Sequence, residues 1–189
     1  MCVNSRPASG DIAREIADSI ADHCAPVRNP RVLVLVGLQY AGKSFLAERI
    51  AADNIAHIWA TKIKQKYGLS NDEMTAVAVL LIERLAGGGI NVMLDGVNHK
   101  RQVREAFRRA SDGCGARYQT IYLDIPRSER LRRRDLNIEN GELPGRRIIS
   151  LEQMDLFEAE FEPPDLRENA LHLRSSEDVR LLLESWDIS

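Results

Sequence analysis

Eight consecutive residues, Gly37-Leu38-Gln39-Tyr40-Ala41-Gly42-Lys43-Ser44, follow the spacing G-x-x-x-x-G-K-[ST]. Glycines at the two ends of such a loop let successive backbone N–H groups turn inward around phosphate oxygens. The helix that opens at the end of the loop adds its partial positive charge. In this pattern Lys43 reaches the β- and γ-phosphates of a nucleoside triphosphate, and the Ser44 hydroxyl binds Mg²⁺. The predicted cradle is therefore Gly37, Gln39, Tyr40, Ala41, Gly42, Lys43, Ser44 and the following Phe45. Asp95 closes a second apolar run, where a carboxylate can hold Mg²⁺ directly or through water. Ser44 and Asp95 are thus the predicted metal ligands.

Arginines form the next cluster. Arg127, Arg130 and Arg134 share a helix face, with Arg132 and Arg133 beside them and Arg146 and Arg147 beyond a loop. Like charges this dense need anions or acids nearby. A lid closing on a triphosphate supplies anions, and Arg130, Arg133 and Arg134 would then neutralise charge on the transferring phosphoryl group. The acidic C-terminal third, which would pair with a solvent-facing helix, is the other source. His57, His99 and His172 show no ligand spacing and read as structural or exposed. Trp59 reads first as a core residue and second as a stacking surface. Lys100, Arg101, Arg104 and Arg108 form a basic helix face that could touch a nucleic-acid backbone, a partner that the acidic net charge and few aromatics disfavour.

Positioning these groups requires alternating strands and helices. Arg31 to Val36 is a continuous apolar, β-branched run, as in a strand buried on both faces. Lys43 to Ala52 reads as a helix, and residues 55–60 as a weaker strand. Ser70 and Glu73 form a capping box, with Met74, Val77, Ala78, Leu81, Ile82 and Leu85 at helical spacing behind it. Residues 90–95 form a third strand. Asn98 reads as the cap of a helix through Ala110, and Tyr118 to Leu123 as a fourth strand. Pro126 suits the first turn of the arginine helix. Helices over 151–161 and 177–186 flank a short strand at 170–173. The order implies an α/β sandwich around a parallel sheet.

The chain has 189 residues and a net charge of −2, which points to one compact domain. The expected division is an N-terminal helix and linker over 1–30 and the main domain over 31–189, with a lid over about 126–149. Residues 99–147 carry 13 of the 26 basic residues, whereas residues 148–189 are strongly acidic. No apolar stretch is long enough to span a bilayer, and the start lacks a signal-peptide pattern. Three scattered cysteines form neither a zinc site nor a disulfide framework, so a reducing cytoplasm is the expected location.

Four segments together resemble the P-loop kinases of the polynucleotide kinase and zeta-toxin group. They are the phosphate loop, Met93-Leu94-Asp95-Gly96-Val97-Asn98, the Pro126-to-Arg134 segment, and Phe157-Glu158-Ala159-Glu160-Phe161-Glu162-Pro163-Pro164. The resemblance covers residues 31–173. It implies a three-layer sandwich with a five-stranded parallel sheet, ATP (or GTP) with Mg²⁺, an arginine lid over 127–134, and phosphoryl transfer to a hydroxyl of a small molecule or nucleic-acid end. Many members carry an aspartate base after the second strand and an acceptor-gripping arginine three residues later. The matching positions here hold Thr61 and Lys64. Thr61 cannot act as a base at neutral pH, which leaves Asp95 as the base candidate. A non-catalytic nucleotide binder and a slow NTPase remain the alternatives to a kinase.

Overall fold

The computed structural model describes residues 7–50, 54–96, 98–141 and 148–185. Arg146, Arg147 and most of the loop before them lie outside the described residues, as do residues 51 and 52 of the expected helix end and Trp186. The chain begins with α1 (Ser9–Ala21), β1 (Arg31–Val36), α2 (Lys43–Ile50), β2 (Ile55–Trp59), α3 (Ala60–Tyr67) and α4 (Asn71–Gly87). It continues with β3 (Asn91–Asp95), α5 (Arg101–Gly113), β4 (Arg117–Leu123) and α6 (Arg127–Glu139). After α7 (Leu151–Ala159) and a 3-10 turn at Leu166–Glu168 come β5 (Leu171–Leu173) and α8 (Ser176–Glu184).

The five strands form one sheet in the order β2-β3-β1-β4-β5, and every pairing is parallel. The centre of the sheet follows from composition. Val32 through Val36 are all buried, and their side chains alternate between the two faces. Val32, Val34 and Val36 join Ile12, Ala17, Val77, Leu81 and Phe107 in the core beneath α1, α4 and α5. Leu33 and Leu35 join Leu46, Ile50, Met93 and Ile121 beneath α2, with Val179, Leu182 and Leu183 of α8 packed alongside. The result is a three-layer α/β sandwich, as the alternation of elements requires.

Local signals account for most boundaries. The Ser70–Glu73 capping box forms at the start of α4, and Gly68 closes α3 in the left-handed conformation at φ +64°. Three boundaries differ from the sequence expectation. The segment around Lys62 is a helix, and Ala60 opens it instead of ending β2. Pro126 precedes α6 as its cap and is not part of its first turn. Asn98 does not cap α5, whose cap position is Lys100. Its side-chain amide donates instead to the Leu35 carbonyl at 2.8 Å, tying the chain after β3 to the end of β1.

The basic face of α5 is largely committed to the acidic C-terminal third. Arg104 is buried and forms a two-pronged pair with Glu168, Nε to Oε2 at 2.6 Å and Nη2 to Oε1 at 2.7 Å. Its Nη1 also donates to the Asn98 carbonyl at 3.1 Å. Arg101 pairs with Glu105 and Asp165, and Lys100 with Glu162. Of the basic residues on this face, Lys100, Arg101 and Arg104 thus meet carboxylates within the fold. Among the described residues, no helix is long and apolar enough to cross a membrane.

Removing one partner of a buried ion pair strands the other charge. Glu168→Ala should therefore cost about 3–5 kcal/mol of unfolding free energy in urea titration, whereas Arg104→Met with Glu168→Leu should cost much less. A single-mutant loss under about 1 kcal/mol would show that the pair contributes no more than a surface one.

Candidate functional site

The register of the sheet brings the two sequence motifs together. β1 pairs with β3, so Leu35 lies opposite Asp95 although a strand and three helices separate them in sequence. The phosphate loop leaves β1 at this end and enters α2. Gly37 adopts φ +151°, and a Cβ there would sit 2.9 Å from the Leu123 carbonyl. Gly42 adopts φ +103°, and a Cβ there would sit 3.2 Å from Nη1 of Arg133. Tyr40 takes a left-handed φ of +61°, a conformation that a bulky residue holds only where its surroundings enforce it. Two contacts do so. Its hydroxyl accepts from the Ile149 N–H at 2.9 Å, and its carbonyl accepts from Arg133 at 3.3 Å.

Lys43 folds back over its own loop, where Nζ donates to the carbonyls of Gly37 at 2.8 Å and Leu38 at 2.9 Å. Loss of hydration pushes its pKa down to about 8; the Asp95 carboxylate opposes that shift and Arg130 adds to it. At neutral pH the ammonium keeps its proton, held by carbonyl dipoles that a phosphate could replace.

A cleft of about 760 Å³ opens over the carboxyl end of the sheet, the place where open α/β sheets bind ligands. Gln39 through Phe45 line it, together with Asp95, Thr61 and Trp59. Several buried polar atoms in the cleft wall make no hydrogen bond within the protein: Gln39 Nε2, Gln39 Oε1 and Asp95 Oδ2. Uncompensated buried polar atoms are costly and are found where a ligand, water or ion completes them. Ser44 and Asp95 supply hard oxygen donors on one wall, as Mg²⁺ requires. Among the described residues, no three His, Cys, Asp or Glu side chains form a metal cluster. A Mg²⁺ ion here would rely on these two side chains together with phosphate oxygens, its usual mode beside a nucleotide.

His57 stands beside Asp95, which sequence spacing did not reveal, and Trp59, read first as a core residue and second as a stacking surface, is at the cleft. His57 Nε2 lies 3.5 Å from Asp95 Oδ2, because β2 pairs with β3 and sets Trp59 opposite Asp95. Trp59 lines the cleft and is not a core residue. Its ring stacks on His57, with centroids 5.9 Å apart and planes 12° apart, and Lys62 Nζ sits 3.7 Å from its centroid. Strand alternation puts residues 57, 59 and 95 on one face, a signal legible only once the pairing is known.

The arginines of α6 divide into two groups. Arg133 reaches the phosphate loop, donating to Ala41 O at 2.9 Å, and also bonds Glu129 and Ser176. Arg132 lines the cleft beside it. Both are held by Glu129, and the hydrogen bonds from Arg132 and Arg133 pull its pKa down to about 2. Arg130 is buried, pairs with Glu158 of α7 and donates to Ile125 O at 3.2 Å. Arg127 pairs with Asp155 and Glu158. Arg134 donates to Ile149 O at 2.9 Å and pairs with Asp135. Of the expected phosphate-facing arginines, Arg133 lines the cleft, and Arg130 and Arg134 do not.

No family model and no curated protein matches the sequence. Solved structures do. Chaetomium thermophilum Kti12 in complex with ADP-AlF3 superposes with a TM-score of 0.65 at 14% identity, over 81% of this chain and 95% of that one. The Mycobacterium tuberculosis APS kinase CysC in complex with AMPPNP and APS gives 0.59 at 13%, over 85% and 98%. A gluconokinase from Sinorhizobium meliloti 1021 gives 0.59 at 18%, over 84% and 90%. The chain therefore has the P-loop kinase fold. The polynucleotide kinase and zeta-toxin group is not singled out within it.

The tight approach at Gly37 gives a local test. Gly37→Ala adds a positive-φ penalty and a contact with Leu123 O, and should destabilise the chain by about 1–3 kcal/mol. Thermal and urea unfolding measure it. A wild-type midpoint would show that the loop relaxes freely.

Proposed function

We propose that the chain is an ATP-dependent kinase that transfers the γ-phosphoryl group to a hydroxyl of a small acceptor, with Mg²⁺ as cofactor. One observation carries this reading: the phosphate loop and the buried Asp95 carboxylate, whose Oδ2 makes no hydrogen bond, share one cleft wall at the carboxyl end of the sheet. A structure of the same fold holds ADP-AlF3, and another holds AMPPNP with APS, which supports a nucleotide in this cleft.

In this reading the inward-facing amides of the loop and Lys43 bind the β- and γ-phosphates. Lys43 exchanges its two carbonyl partners for phosphate oxygens. Arg133 and Arg132, held at the cleft by Glu129, offset negative charge on the phosphates. Mg²⁺, held by Ser44 and Asp95, would supply charge neutralisation across the phosphates. The acceptor oxygen bonds to the γ-phosphorus as the bond to the β,γ-bridging oxygen breaks. ADP keeps that electron pair, and the hydroxyl proton passes to the Asp95 carboxylate. Thr61, at the cleft on the acceptor side, can orient a hydroxyl but cannot take its proton.

A non-catalytic nucleotide binder is the second reading, and the hydroxyl of Thr61 in place of a carboxylate favours it. Transfer assays separate the two: a kinase labels an acceptor, and a binder does not.

Lys43→Ala should fold and lose most Mg²⁺–ATP affinity by calorimetry; unchanged affinity would defeat the nucleotide assignment. Asp95→Asn should keep much of that affinity and lose about 10²–10⁴-fold or more in transfer rate, since the amide keeps the shape but not the basicity. Near-normal turnover of this variant would remove Asp95 from the chemistry.

A further inference from the structure

Asp95 is 3% exposed, and a buried carboxylate calls for donors around it. Its Oδ2 is buried and makes no hydrogen bond. Nε2 of His57 is buried as well, makes no hydrogen bond either, and lies 3.5 Å from that oxygen. The two unmet atoms are complementary in kind. An ionised carboxylate oxygen only accepts, and an imidazole nitrogen that carries its hydrogen donates. An approach closer by roughly half an ångström brings the pair to ordinary hydrogen-bond length.

The fold sets this pair in place. Parallel pairing of β2 with β3 puts His57 opposite Met93 and Trp59 opposite Asp95. His57 lies two residues before Trp59 on the same face and is therefore the diagonal neighbour of Asp95. The imidazole is held in turn. The Trp59 indole stacks on it, and the Lys62 ammonium rests on that indole, 3.7 Å from its centroid. Asp95 lines the cleft and His57 does not, so the imidazole meets the carboxylate from behind and leaves the cleft itself open to reactants. Within the site, Lys43 feels the charge of the same carboxylate.

On the kinase reading above, we infer that His57 is a positioning residue, whose Nε2–H donates to Oδ2 of Asp95 and fixes the direction in which the carboxylate faces the cleft. His57 acts through Asp95 and touches no reactant. Held at Oδ2, the carboxylate meets the acceptor hydroxyl in one orientation instead of several, and reaction rates are sensitive to misplacement on that scale. Groups that hold a functional carboxylate or imidazole from behind commonly contribute about 10–100-fold. The contribution falls on the rate of transfer, because the nucleotide is bound by the phosphate loop and Lys43.

The test has a spectroscopic arm and a transfer arm, both on the full chain. With ¹⁵N-labelled histidine, His57 should show its hydrogen on Nε2 as a slowly exchanging, downfield resonance, and Asp95→Ala should remove that signature. This arm needs no variant of His57. A His57 ring with its hydrogen on Nδ1 alone would overturn the inference. In the transfer arm, His57→Phe keeps a flat ring against Trp59 and removes the donor, whereas His57→Gln returns an N–H near the position of Nε2. His57→Phe should lower kcat about tenfold with the ATP KM unchanged, and His57→Gln should restore most of the loss. In the Asp95→Asn background, His57→Phe should cost nothing further. Equal losses in His57→Phe and His57→Gln, or a full loss on top of Asp95→Asn, would show a merely structural role and overturn the inference. Normal kcat in His57→Phe would overturn it and leave the kinase reading standing. Nucleotide binding without transfer to any acceptor would defeat the kinase reading, and this inference with it.

Discussion

Parallel pairing of β1 with β3 sets Leu35 beside Asp95, and the geometry of the cleft depends on that register. A shift of one residue would turn Asp95 to the opposite face and bury it beneath α4. The register is held from both sides. Val32, Val34 and Val36 fill one core layer while Leu33 and Leu35 fill the other, so neither strand can slide without exposing apolar surface. Asn98 adds a side-chain hydrogen bond from the chain after β3 to Leu35. Arg104 then grips the Asn98 carbonyl and is itself held by Glu168. A line of contacts thus runs from the acidic C-terminal third to the strand that feeds the phosphate loop.

The same third also manages the arginines. Five arginines within eight residues of α6 repel one another, and the fold answers with carboxylates from two sources. Asp155 and Glu158 of α7 take Arg127 and Arg130. Glu129, on α6 itself, takes Arg132 and Arg133. Only the second set lines the cleft. The helix is therefore divided lengthwise, one side docking α7 and the other facing the phosphate loop. Both sources of anions that the sequence allowed are used: acids in the structure, and phosphates in the reading of function.

Much of this was legible in the residues. The apolar run over 31–36, the glycine-bounded loop and the capping box at Ser70 are local signals. Each follows from the conformational preferences of a few adjacent residues, and each appears where expected. The placement of Asp95 beside the loop was legible as a consequence of parallel order. The helix at Ala60–Tyr67 was not, because it runs for only about two turns, and its short stripe of Ala60, Ile63 and Tyr67 is only partly buried against the core.

By itself, the sequence determined the alternation of strands and helices, the phosphate loop with Lys43 and Ser44, and Asp95 at a strand end. These depend on spacing along the chain. Only the tertiary structure decided which arginines face the cleft, that Arg104 is buried against Glu168, and that His57 and Trp59 stand beside Asp95. Those facts depend on which strand pairs with which and which helix packs against which. Arg130 and Arg133 are the same residue type three positions apart on one helix, yet one is buried against Glu158 and the other touches the phosphate loop. The difference lies in what each side of α6 meets across space, and spacing along one chain does not encode that.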